Sequence, residues 1–538
     1  MKTLIAVVTI ILSLTNLASA AKPNLNAPQG GTFNYNLDSE PESLHPIMAG
    51  DTYSTSVFEY AQGTMCSNNS ETWELDPRLA EKWEVSKDGL TFTFHLRKDA
   101  FFHNGDPVTA EDVKFSLEAI REPKHQALNQ LPYYEKFTKT EIVDKYTIKF
   151  IATEKYFQNL LQLCTMYIIP KSAYGNTDKS VKMQKEIIGA GPYKLEKYDK
   201  GQSIVLTKFD KWYGKNDPSL KGYFNFDKII FKFTKEDTIL IEKLKKGDFD
   251  YAALGTEAYK KAVGPQFGKK VFANKVQNSS PKGYGYIAFN FKNEIFKDKN
   301  VRLAFAHLVN REEMNKKFFN GWNFLATGPS NVSSAQAADV KAIEFSPKKA
   351  QELLSKAGWA DSDKNGILDK IINGKKTEMK LSWIYASKDS EKFWTIVKED
   401  AKKSGIEIEL KLLEWNSFIK SVDDRTFDLM AMGWGGGDVE SDPKQIWHSS
   451  SIGKGGSNYP GYSNPAVDKL IEEGRGELDQ AKRTKIFKKV YTMIAQDVPY
   501  VFMFNKKYEF YANSNKIGKS AETFKYNFGY RNWWAATK

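Results

Sequence analysis

The segment richest in chemical possibilities is Gly433-Trp434-Gly435-Gly436-Gly437-Asp438, which follows the apolar run 427–432. Its glycines carry no β-carbon, so a ligand's main chain could approach closely and pair with the backbone as an added strand; a flexible turn at a strand end fits the same pattern. Asp438 closes the run with a carboxylate, which either caps loop N–H groups or faces a cation. Upstream, Tyr284, Tyr286 and Asn290 alternate along an apolar stretch, and with Trp434 they could offer stacking and hydrogen-bonding groups to a shared cleft. A second polar run, Asp361, Asp363, Asn365, Gly366 and Asp369, matches the early positions of an oxygen-ligand calcium loop, with Ile367 at the backbone-carbonyl position. Its twelfth position is Ile372 where a bidentate glutamate is needed, so the run reads as a polar turn and no metal is expected.

The sequence carries none of the common catalytic spacings. The six histidines (His45, His95, His103, His125, His307 and His448) show no His-Glu-x-x-His spacing, and there is no Gly-x-Ser-x-Gly elbow, phosphate loop or Cys-x-x-Cys pair. No enzyme activity and no cofactor are expected, although a hydrolase with dispersed residues leaves no such motif. The net charge of +12 raises nucleic acid as a partner, but the lysines are scattered among acids, so a solvated basic surface is the better reading and no nucleic acid is expected.

These residues must be held by a large framework. Residues 1–20 combine Lys2, an apolar stretch over 4–14 and the small-residue exit Ala18-Ser19-Ala20, the pattern of a secretory signal peptide. No cysteine stands at that exit, so export without a lipid anchor is expected. Cys66 and Cys164 are the only cysteines; in an oxidising compartment they either pair or remain buried thiols. What remains of the 538 residues far exceeds the roughly 250–300 at which one core stops growing, so more than one domain is expected. Strand patterns at 30–37, 91–96, 146–151, 193–198, 203–208 and 227–233 mix with helical ones at 239–246, 302–319 and 348–356, which defines an α/β class. Thr109 with Asp112 forms an N-terminal capping pattern, and Ser346-Pro347 opens another helix. There is no low-complexity linker, so passages between domains are short.

Two stretches carry a resemblance. One is Asp88-Gly89-Leu90-Thr91-Phe92-Thr93-Phe94-His95-Leu96-Arg97, continuing through Phe102-His103-Asn104-Gly105-Asp106-Pro107-Val108-Thr109-Ala110-Glu111-Asp112-Val113; the other is the ordered series Pro77-Arg78-Leu79-Ala80, Gly189-Ala190-Gly191-Pro192-Tyr193, Ala288-Phe289-Asn290 and Asp497-Val498-Pro499-Tyr500. Together they resemble the family 5 extracellular solute-binding proteins of ABC importers, the dipeptide and oligopeptide-binding family. Asp442-Pro443-Lys444-Gln445-Ile446-Trp447 and Gly456-Ser457-Asn458-Tyr459-Pro460 look most like its oligopeptide and microcin C branch.

The resemblance implies a hinged, two-lobed periplasmic protein, monomeric, that closes on a small solute and delivers it to an ABC permease in the inner membrane. Lobe one would hold 21–285 and 500–538, with a subdomain inserted near 51–186, and lobe two 286–499. Oligopeptides are the expected solute; nickel complexes, haem and other small solutes are carried on the same fold. Peptide-binding relatives place an aspartate shortly after a matching Gly-Trp, which makes Asp438 the candidate partner of the peptide ammonium, a group that is costly to bury unpaired. Trp434, Gly433, Gly435, Tyr284, Tyr286 and Asn290 complete the expected site.

Overall fold

The computed structural model describes residues 21–536 except 128–129, 265–266, 268–269 and 454–455. The expected signal peptide lies outside the described residues.

Two mixed sheets dominate. The first has seven strands, in the order Tyr193–Asp199, Ser203–Lys208, Lys228–Phe233, Thr32–Leu37, Tyr251–Leu254, Glu509–Ser514 and Val271–Val276. Alternation decides its faces. Ile204, Leu206, Ile229 and Phe231 enter one apolar core, while Leu254, Val271, Phe510 and Ala512 meet the helices Asp237–Lys246 and Thr256–Ala262 in another. The first of these helices stops where Gly247 takes φ +81°, a left-handed cap conformation that favours glycine.

Between Thr32–Leu37 and Tyr193–Asp199 the chain inserts a four-stranded sheet of Ala80–Val85, Thr91–Leu96, Thr147–Ile151 and Lys139–Asp144. The helix Ala110–Arg121 lies on it and starts as the sequence predicts, with the Asp112 carboxylate accepting from the Thr109 N–H at 3.0 Å. Phe92, Phe94, Ile148 and Phe150 of the insertion share one continuous core with Phe33, Tyr35 and Phe231, so the insertion is packed into the first lobe. Cys66 and Cys164 form a disulfide, their Cα atoms 4.7 Å apart, joining Cys66–Asn68 to the helix Asn159–Thr165.

The second sheet has six strands, ordered Asn323–Leu325, Tyr500–Lys506, Tyr284–Phe289, Leu429–Trp434, Lys380–Tyr385 and Glu407–Leu412. Ile287 and Phe289 face one core, and Tyr284, Tyr286 and Ala288 the other. Three details differ from the expectations from sequence. The chain enters the second sheet at Tyr284, so its first crossing ends before that residue and not at 285. Tyr500–Lys506 pairs with Tyr284–Phe289, so the chain returns to the first sheet between Lys506 and Glu509 and not before residue 500. The helical run expected over 302–319 is two helices, Lys299–His307 and Arg311–Phe319, because the Asn310 side chain accepts from the Glu313 N–H at 3.1 Å and caps the second.

The two crossings, 277–283 and 507–508, run side by side. Ser280 Oγ donates to Glu509 Oε2 at 3.2 Å, and Lys282 Nζ lies 3.7 Å from the same oxygen. Among the described residues no helix is long and apolar enough to cross a membrane.

Candidate functional site

A cavity of about 360 Å³ opens where the crossings meet the second sheet. Both lobes line it. Asn278, Ser280, Lys525 and Tyr526 come from the first, and Tyr284, Trp434, Asp438 and Asp442 from the second.

The antiparallel pairing of Tyr284–Phe289 with Leu429–Trp434 sets Tyr284 opposite Trp434, at the end of the sheet that borders the cavity. Beyond Trp434 the chain runs alongside the first crossing so closely that a β-carbon on Gly283 would lie 1.6 Å from the Trp434 carbonyl oxygen, and one on Gly436 would lie 2.1 Å from the Pro281 carbonyl oxygen. Only glycine allows this approach. Gly435 and Gly437 have open space around the equivalent position, and both line the cavity.

Trp434 does not present a free ring. It lies parallel to Tyr286 (18°, centroids 5.9 Å) and to Tyr459 (11°, 5.8 Å), and Tyr286 stacks in turn on Tyr500 at 4.0 Å. Of these rings only Trp434 lines the cavity, and the others brace it from behind. The Ser330 hydroxyl, on a cavity-lining residue, is buried with no hydrogen bond among the described residues. A buried polar atom left unpaired costs about 1–3 kcal/mol, so this is a hydrogen-bonding position for a solute or for water.

Asp438 is half-buried, and burial raises its carboxyl above the ordinary carboxylate range. Among the described residues the one hydrogen bond to its carboxylate comes from Gln158 Nε2 at 3.2 Å, and no cation pairs with it. Asp442, four residues on, is by contrast neutralised by Arg475, with Nε at 2.8 Å. Lys506, Lys507 and Lys525 also line the cavity, and none has a carboxylate partner among the described residues. The cavity therefore offers an uncompensated acid together with uncompensated ammonium groups.

Of the residues expected from sequence, Asp438, Trp434, Gly435 and Tyr284 lie together on this cavity. Gly433, Tyr286 and Asn290 do not line it. Gly433 pairs with Gly285 inside the sheet, and Tyr286 sits behind Trp434. Asn290 lies at the opposite end of its strand, where its amide donates to the carbonyls of Arg425 (2.8 Å) and Phe427 (2.7 Å) and fixes a loop. The lysines and Gln158 carry no local motif and escaped the sequence reading.

The Asp361, Asp363 and Asp369 carboxylates come within 4.8 Å of one another, but Lys376 Nζ stands 2.7 Å from Asp363 and 3.4 Å from Asp369, filling the position with a side-chain cation.

The two-lobed α/β architecture with a cavity between the lobes defines the class, and comparison with known proteins agrees. Residues 74–456 match the model of the bacterial extracellular solute-binding proteins, family 5 (Middle), and the chain belongs to that family. It is 28% identical to the oligopeptide-binding protein AppA of Bacillus subtilis over 96% of this chain and 94% of that protein. The structure of AppA in complex with a nonapeptide superposes with a TM-score of 0.76 at 26% identity, covering 95% of this chain and all of that one. NikZ from Campylobacter jejuni, solved with Ni(L-His), shares the fold (TM-score 0.77, 23% identity, 94% of this chain and 99% of that one).

Proposed function

We propose that this protein is the exported solute-binding component of an ABC importer, that it captures oligopeptides between its lobes, and that it passes them to membrane permease subunits. The observation that carries the peptide reading is the half-buried Asp438 carboxylate, which lines the cavity with no cation beside it among the described residues. A peptide's ammonium supplies the missing charge, and Lys506, Lys507 and Lys525 suit carboxylates, whether terminal or on side chains. Gly435 and Gly437 leave backbone free to pair with an extended ligand. The similarity to AppA, whose bound ligand is a nonapeptide, points the same way.

In this reading 21–282 and 507–536 form lobe one, with the insertion near 51–186, and 283–506 form lobe two. A ligand touching both lobes favours the closed state, which the permease recognises. The protein acts as a monomer outside the cytosol and catalyses no reaction. A nickel or haem carrier is the less favoured reading, because the Asp438 carboxylate and the cavity lysines match the two charged ends of a peptide.

The test is mass spectrometry of the solute released by denaturing protein purified from its native host. Peptides with free amino termini are expected. A metal complex or porphyrin at stoichiometric occupancy contradicts the proposal.

A further inference from the structure

Gln158 belongs to the insertion in the first lobe, yet its side chain ends in the second. Its Nε2 donates to Asp438 Oδ2 at 3.2 Å and to the Glu440 carbonyl at 2.8 Å, while its Oε1 accepts from the Tyr156 hydroxyl at 2.6 Å. These three partners settle the amide orientation. Turned over, Oε1 would oppose a carbonyl and a carboxylate oxygen, with no proton between them.

The side chain is only 5% exposed and is anchored from its own lobe. Gln158 immediately precedes the helix Asn159–Thr165, which the Cys164–Cys66 disulfide ties down, and Asn159 Nδ2 closes the preceding loop by donating to the Glu154 carbonyl at 3.1 Å. Phe157 separately braces the lobes. Its N–H donates to the Arg475 carbonyl at 3.0 Å, and its ring lies 4.6 Å beneath the Arg483 guanidinium. Asp438 Oδ1 accepts no hydrogen bond among the described residues and is left for whatever occupies the cavity.

We propose that Gln158 is a positioning residue for amine recognition: from the opposite lobe it holds one oxygen of Asp438 and turns the other to the ligand, so that the amine site is complete only when the lobes are closed. The proposal rests on Asp438 being the amine ligand. A neutral amide suits the task. Closure strips water from the carboxylate, and the amide returns one hydrogen bond without cancelling the charge that the ammonium needs. A lysine in its place would neutralise Asp438 internally and compete with the ligand.

The experiment is calorimetry with the tightest-binding member of a panel of di- to nonapeptides and its N-acetylated form, on wild type, Gln158→Leu, Gln158→Lys and Phe157→Ala. Gln158→Leu is expected to weaken the free-amine peptide about tenfold, the effect of losing a hydrogen bond to a charged group, and to change the acetylated one by less than about twofold. Gln158→Lys gives the same selectivity with a larger loss, so a folding failure of the leucine variant leaves the test intact. Phe157→Ala weakens both ligands by the same factor. Equal losses for both ligands in the Gln158 variants, or no loss, overturn the proposal. If wild type binds the acetylated peptide as tightly as the free one, it is the amine reading of Asp438 that fails, a result distinguishable from any behaviour of Gln158.

Discussion

Lowering the pH from 7.5 to 5 destabilises the first lobe through His45. Its Nδ1 accepts from the Ile47 N–H (3.2 Å) and the Met48 N–H (3.3 Å), which places the ring proton on Nε2, 2.9 Å from Ser180 Oγ. Ser180 then donates to His125 Nε2 at 3.1 Å, and His125 Nδ1–H donates to the Ala119 carbonyl at 2.8 Å. A second proton on His45, placed on Nδ1, would face two N–H donors. Burial, with His125 second, pushes His45 down to about 4. Because the folded value lies below the unfolded one of about 6.5, the unfolded chain binds more protons in between. Stability is therefore present above about pH 6.5 and drains away as pH falls toward 4. At pH 5 the loss works out to about 2 kcal/mol for one such group, rising to about 3.4 kcal/mol below pH 4. Burial also lowers His103 to about 4, so wild type loses about twice that amount at pH 5. Urea titrations followed by tryptophan fluorescence at the two pH values measure it. His45→Gln costs stability at pH 7.5 but should show only about half the wild-type fall. A variant that loses as much as wild type rules out His45 as the group taking up the proton.

Two further outcomes follow from close packing and covalent constraint. Gly436→Ala drives a β-carbon against the Pro281 carbonyl and should cost about 1–3 kcal/mol in thermal or urea unfolding, whereas Gly435→Ala, with open space around it, should leave stability within about 0.5 kcal/mol. Replacing both Cys66 and Cys164 by alanine opens a loop spanning 98 positions and should destabilise the first lobe by about 2–5 kcal/mol; differential scanning calorimetry of the double variant against wild type shows whether the disulfide contributes at all.

Local signals carried far into the fold. The capping pattern at Thr109 and Asp112 marks a helix start that the structure reproduces, since such caps depend on a few neighbouring residues. The split at Asn310 was also legible, because Asn310 and Glu313 have N-cap spacing, but the continuous apolar periodicity masked it. At the cavity, Asp438, Trp434, Gly435 and Tyr284 were within reach because they flank one strand pair. Asn290 was not separable from them, since alternation shows which face of a strand a residue occupies and not how far along it lies. Six residues from Tyr284 amount to about 20 Å. Gln158 lies 280 positions from Asp438, and only the packing of the two lobes against each other brings them together. The return crossing was misplaced by several residues because Tyr500–Lys506 is an apolar strand that either sheet could accept, and its pairing with Tyr284–Phe289 is long-range.

Asp438 is proposed to receive a peptide's ammonium in the cavity between the lobes. Calorimetry with wild type and Asp438→Asn, each titrated with one peptide and with its N-acetylated form, tests it most directly. The substitution keeps the side-chain shape and removes the charge, so the free-amine peptide should bind about 2–5 kcal/mol more weakly to the variant, much of it the cost of leaving the ammonium unpaired. Acetylation should weaken binding to wild type by a similar amount, and the two changes combined should add little, because they delete the same interaction. If Asp438→Asn binds the free-amine peptide as tightly as wild type does, Asp438 is a loop acid held by Gln158, and the amine is bound elsewhere or not at all.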